Sequence, residues 1–147
     1  MDYSLEATCY RTALLLGLIR GDDVHRWAEQ AIAREPEPAP ELIEIVSAPS
    51  TDLSALRHAL WPLVMEPAPR AVFEAVFGLL HADLASGRRS VSDALTVLRQ
   101  TRSMLRLPPT MYAELNSMLV AYANGRSEAI AEWLEQFGPS ASSLFHL

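Results

Sequence analysis

Apolar residues along this chain return at the spacing of an α-helix, and prolines and glycines cut that pattern into short lengths. Val24, Trp27, Ala28, Ala31 and Ile32 fall at i, i+3, i+4, i+7 and i+8, with Arg26, Glu29, Gln30 and Arg34 outside the stripe. Asp22 and Asp23 stand just before it, where carboxylates meet the unpaired N–H groups and positive end of a helix. A preceding helix over 4–20 is apolar nearly all round in its second half, and Gly21 separates the two into a helical hairpin. The stretch Glu35-Pro36-Glu37-Pro38-Ala39-Pro40 cannot be helix interior, because each proline fixes φ and biases the residue before it toward extended geometry. It reads as a stiff connector, with Pro40 at the first position of a short helix through Val46. A strand over 42–46 is the competing reading, but no partner strand is visible.

The pattern continues to the end of the chain. Ser50 or Thr51 caps a helix carrying Leu53, Leu56, Leu60 and Leu63, and Pro62 predicts a kink or early end near Trp61. A helix over 70–86 places Val72, Phe73, Val76, Phe77, Leu80 and Leu84 inside and stops at Gly87. Ser90 with Asp93 opens a helix through Leu98 to Leu105, which Pro108 and Pro109 end. Thr110–Asn124 follows, closed by Gly125, and Ser127 opens a last helix with Ile130, Trp133, Leu134 and Phe137. Trp27 and Trp133 each occupy the i+3 position of an apolar stripe and are expected in the core.

These signals predict an all-α fold, a single globular bundle of about eight helices arranged largely as αα-hairpins. Residues 1–138 form the helical domain and 139–147 a tail that is apolar at its end. The alternative is a short α-solenoid of stacked helical hairpins. Residues 24–30 echo 130–136, and a helix, Gly, basic residue, Ser, helix order recurs around Gly87 and Gly125, but the periods disagree and no known repeat signature is complete.

Over residues 14–47, the order Gly17-Leu18-Ile19, Asp23-Val24, Trp27-Ala28, Ile32, a proline-rich gap and Glu41-Leu42-Ile43-Glu44 with Ser47 resembles small uncharacterised bacterial all-α proteins. The resemblance rests on core and capping residues. It implies a bacterial helical protein and carries no catalytic residue across.

Chemistry-bearing motifs are sparse. Cys9 is the only cysteine, so there is no disulfide framework and no paired-cysteine metal site. All 12 basic residues are arginine, which removes Schiff-base chemistry and the phosphate-loop lysine together. No Glu-x-x-His or His-x-x-x-His pair, Gly-x-Ser-x-Gly elbow or glycine-rich phosphate loop occurs. No catalytic, metal or cofactor site is therefore assigned. The longest apolar run, Ala13–Ile19, is far short of the roughly 20 residues that span a bilayer. Asp2 and Glu6 precede it where a signal peptide carries positive charge, so the chain reads as cytoplasmic, with no membrane partner.

Charge is distributed unevenly. Residues 1–47 hold nine acids against four arginines, whereas residues 88–106 hold Arg88, Arg89, Arg99, Arg102 and Arg106 against Asp93 alone. On one helix, Arg99, Arg102 and Arg106 share a face at i, i+3, i+7 and form a candidate ridge for anions or an acidic partner. Nucleic acid is disfavoured as that partner, because the net charge is −6 and no reading motif surrounds the ridge. Leu144, Phe145 and Leu147 end a Ser-rich spacer and are expected to dock, either on this chain or on a second copy as a homodimer interface. The function expected is a non-enzymatic bacterial protein-interaction module, with an immunity-type or antitoxin-like protein as one specific version. The alternative is a small-molecule-binding or enzymatic helical bundle with a core cavity.

Overall fold

The computed structural model describes residues 2–145 of the chain. Helix α1 (Ser4–Leu15) ends because Gly17 takes φ +72°, a left-handed conformation that glycine adopts without a Cβ clash. The reversed backbone lets Leu18 N–H donate to the Ala13 carbonyl at 2.9 Å and Gly17 N–H to Leu14 at 3.1 Å, which satisfies carbonyls that the helix end leaves open. Gly17, rather than Gly21, is therefore the stop. Gly21 is the first residue of α2 (Gly21–Arg34), where the Asp23 carboxylate accepts from the Arg20 N–H at 2.9 Å. Left-handed glycines also close α5 (Arg70–Ala85) at Gly87, φ +77°, and α7 (Pro109–Ala123) at Gly125, φ +99°.

Proline sets most of the remaining boundaries. Pro40 opens α3 (Pro40–Ser47), so 42–46 is helical and not extended. Helix α4 (Leu53–Leu60) is capped by Asp52, whose carboxylate accepts from Ala55 N–H at 3.0 Å. Ser50 and Thr51 do not cap it, because Asp52 N–H closes a turn onto the Pro49 carbonyl and brings the aspartate to the helix end. As expected, Pro62 ends α4 near Trp61, and the chain continues as a 3-10 turn over Trp61–Leu63. Ser90 caps α6 (Val91–Met104) by accepting from Asp93 N–H at 3.1 Å. That helix ends at Met104 with Leu105 extended, short of Pro108. Helix α8 (Ala129–Glu135) is followed by a 3-10 turn at Gly138–Ser140 and a short α9 (Ala141–Leu144), in the stretch expected to be a spacer. Among the described residues there are nine α-helices and no strand, so the fold is all-α. None of these helices is long and apolar enough to cross a membrane.

The helices pack into two compact units that divide at Glu66-Pro67, within the stretch read from sequence as one domain. The first unit runs to Glu66 and includes Phe145, and the second is Pro67–Leu144. In the first, Tyr10 stacks on Trp27 with ring centroids 5.0 Å apart and meets Phe145 at 5.1 Å. Tyr3 adds an edge contact to Trp27, whose indole N–H donates to Glu6 at 2.6 Å. Trp27 is buried as expected. Helix α2 also lies along α3, and His25 Nε2 hydrogen-bonds the Ala48 carbonyl at 2.6 Å. In the second unit, Phe77, Trp133 and Phe137 form a triangle with centroids 5.0–5.5 Å apart. Trp133 is only half-buried, because one side of its ring borders a trough.

Each unit opens with the same local sequence of events, displaced by 70 positions from Gly17 to Gly87. A left-handed glycine ends a helix in both. The next helix spans Gly21–Arg34 in one and Val91–Met104 in the other, with Asp23 or Asp93 in its first turn. The buried sets then coincide: Val24, Trp27, Ala28 and Ala31 against Ala94, Val97, Leu98 and Thr101. This correspondence escapes a search for sequence repeats because it lies in burial and φ, and few of the paired residues are alike.

Close backbone approach fixes two helices. A Cβ at Gly21 would overlap the Ser50 carbonyl oxygen and come within 2.9 Å of Leu56 Cδ1. One at Gly78 would meet the Ala141 backbone N at 2.9 Å. Gly21→Ala and Gly78→Ala should each cost about 1–3 kcal/mol or more in urea unfolding, because backbone atoms must move. Gly87→Ala has open space around it and should cost only about 1–2 kcal/mol, from its positive φ.

Candidate functional site

The five arginines proposed as a ridge do not act as a unit. Arg89 pairs with Asp83 through Nε at 3.0 Å, and Arg88 lies 3.9 Å from the same carboxylate, so both serve the α5–α6 turn. Arg102 reaches across to α7, donating to Asn116 Oδ1 at 3.2 Å. Arg99 is exposed on α6, and Arg106 is exposed beyond the end of that helix, where i, i+3, i+7 geometry no longer applies. Of the tail residues, Leu144 is half-buried at the end of α9 and Phe145 is buried against Tyr10. Leu147 lies outside the described residues.

Other titratable groups are occupied in ways that explain them. Tyr3 donates to Glu35 at 3.0 Å, and burial, followed by this hydrogen bond, pushes its hydroxyl above the ordinary range. Cys9 is buried in α1, and burial pushes its thiol up to about 12. A neutral, enclosed thiol is neither a nucleophile nor a metal ligand at neutral pH. No cluster of three His, Cys, Asp or Glu side chains that could hold a metal ion occurs among the described residues.

An open concavity lies in the second unit, between α7 and α8. It is an open trough of about 720 Å³. Helix α7 supplies Ala113, Ser117 and Ala121, one small residue per turn, so its backbone is unusually accessible along that side. Trp133 forms the facing wall, with Met118 and Ala129 beneath. Polar groups stand at the ends. At the helix turn, Arg126 pairs with Glu132 and lies 3.6 Å from Glu128. Toward the start of α7, Arg70 holds Glu114 at 3.2 Å. An apolar, small-residue floor between charged ends suits a peptide segment that carries its own apolar stripe.

No family model matches the chain, and neither does any curated protein or solved structure. The trough's residues were not singled out from sequence, although the four-residue spacing of Ala113, Ser117 and Ala121 was available as a signal. What marks them is the position of Trp133 opposite, which is a tertiary fact.

Cys9 yields a pH dependence with a defined sign. Its folded-state pKa, about 12, lies above the ordinary thiol value of 9.0, so below pH 9 the thiol is neutral in both states and its contribution is complete. As pH rises from there toward 12 the unfolded chain ionises first and stability falls. Alkaline urea titrations should show this loss in the wild type and a smaller one in Cys9→Ala. Native Cys9 should also react with thiol reagents at pH 8 no faster than the first unit opens.

Proposed function

We propose that this chain is a non-enzymatic protein-interaction module of the bacterial cytosol, which takes a helix of a partner protein into the α7–α8 trough. The open trough is the observation that carries the reading. A small ligand in so open a site would keep one side in water, whereas binding pockets usually cover 70–90% or more of a drug-sized ligand. A helix covers a trough along its length, and small residues at one per turn let two helix axes approach closely. The bacterial setting rests on the resemblance at residues 14–47. An immunity- or antitoxin-type role is the specific version of this reading in which the partner loses an activity on binding. Self-association is the competing occupant, since two-fold dimers are the commonest assembly.

A photo-crosslinking residue at Ser117 tests the proposal in cells. It should trap one defined protein, and the same residue at exposed Arg99 should not. Ala121→Arg should weaken that complex by about 2–5 kcal/mol while leaving the helical spectrum intact, since it buries an unpaired charge in the interface. A crosslinked species of twice the chain mass would instead identify a homodimer. No adduct at either position would sink the reading.

A further inference from the structure

The first unit holds a second concavity, a cleft of about 480 Å³ lined by Arg11, Ser54, Arg57, His58 and Trp61. Its chemistry differs from that of the trough. Arg11 is the one basic residue of α1, and its guanidinium carbon lies 4.8 Å from the centre of the Trp61 ring. That stacking fixes the plane of the guanidinium. Yet Arg11 Nε is buried and has no hydrogen-bond partner among the described residues. That enclosed nitrogen is out of a ligand's reach, so Arg11 meets the cleft through its remaining guanidinium N–H groups. Arg57 and His58, on α4, line the same cleft, and no acidic side chain does. Burial, and next the Arg57 charge, hold the Arg11 guanidinium below its usual range, and Glu66 is the acid that opposes them. Two neighbouring guanidinium groups, neither in an ion pair among the described residues, thus share one cleft and repel each other.

We propose that this cleft binds a phosphate monoester, with the terminal N–H groups of Arg11 and Arg57 donating to its oxygens and Ser54 and His58 completing the donor set. A dianion matches two unneutralised guanidinium charges, and three terminal oxygens match donors arriving from α1 and α4. A carboxylate would neutralise only one arginine. Trp61 is 50% exposed, so the ring that orients Arg11 also offers a surface to the group esterified to the phosphate. A phosphorylated small molecule and a phosphoserine side chain share this chemistry.

The arginine Nε–Hε resonances of the full chain report the site directly. Titration with inorganic phosphate, glycerol phosphate, a phosphoserine pentapeptide and acetate should move the Arg11 and Arg57 signals saturably with each phosphate. Acetate should bind about tenfold more weakly or worse. Tighter binding of glycerol phosphate assigns the source to small molecules, and tighter binding of the peptide assigns it to a modified protein. Arg11→Lys keeps the charge but removes the forked guanidinium donors, and should weaken binding about tenfold. Arg57→Gln should do the same without disturbing α1, so a loss of fold in the first variant leaves a second to decide. Arg102→Lys in the other unit serves as the unaffected control. Signals that fail to saturate, acetate binding as tightly as phosphate, or unchanged affinity in a folded Arg11→Lys protein would each overturn the proposal.

Discussion

Short helices cannot stand alone in water, and among the described residues they are the only regular structure. Its longest helix has 16 residues and several have eight or fewer. Isolated helices below about 12–15 residues are marginal even with favourable sequences, so each helix here persists only while its apolar stripe is covered. The aromatic contacts are where that cover is densest. Tyr10 and Trp27 join α1 to α2 in one unit, and Phe77, Trp133 and Phe137 join α5 to α8 and the turn after it in the other. The caps and glycine stops set where each helix ends, but the packing decides whether it exists.

That division explains what could be read from sequence. The helical stripes, the proline boundaries, the Ser90 cap and the glycine stops at Gly87 and Gly125 depend on neighbours a few residues away, and all were legible. The errors arose where two local signals compete. Gly17 and Gly21 are both credible stops, and only the backbone hydrogen bonds of Leu18 and Gly17 decide between them. Ser50, Thr51 and Asp52 are all capping residues, and the turn from Pro49 selects the third. Leu105 fits the stripe of α6, yet the helix closes one residue before it. The sites are less legible still. No sequence motif marks Arg11, and only the fold brings Arg57 and His58 of α4 into the same cleft.

The two units also show how one local scheme supports different surfaces. A glycine stop, an acidic first turn and four buried positions recur 70 places apart from Gly17 to Gly87, yet the side chains filling that frame diverge. Trp27 occupies the position that Val97 holds in the second unit, where the large ring comes instead from α8. Moving the indole to Trp133 leaves it beside solvent and creates the wall of the trough. The first unit keeps its indole inside and exposes a different one, Trp61, next to the cations. What differs between the two surfaces follows from where each unit puts its tryptophans.

Phe145 gives the first unit a dependence on synthesis order. The ring that closes over Tyr10 comes from almost the last residue described, so most of the chain must leave the ribosome before that contact can form. Domains generally fold as they emerge, the N-terminal one first. Here the residues of the second unit are all made before the first receives its final aromatic. Ring contacts between distant parts of a chain are also the slowest to form, since the intervening segment must close before they stabilise anything. A chain ending short of Phe145 would thus hold every residue of the second unit and a first unit without its last aromatic.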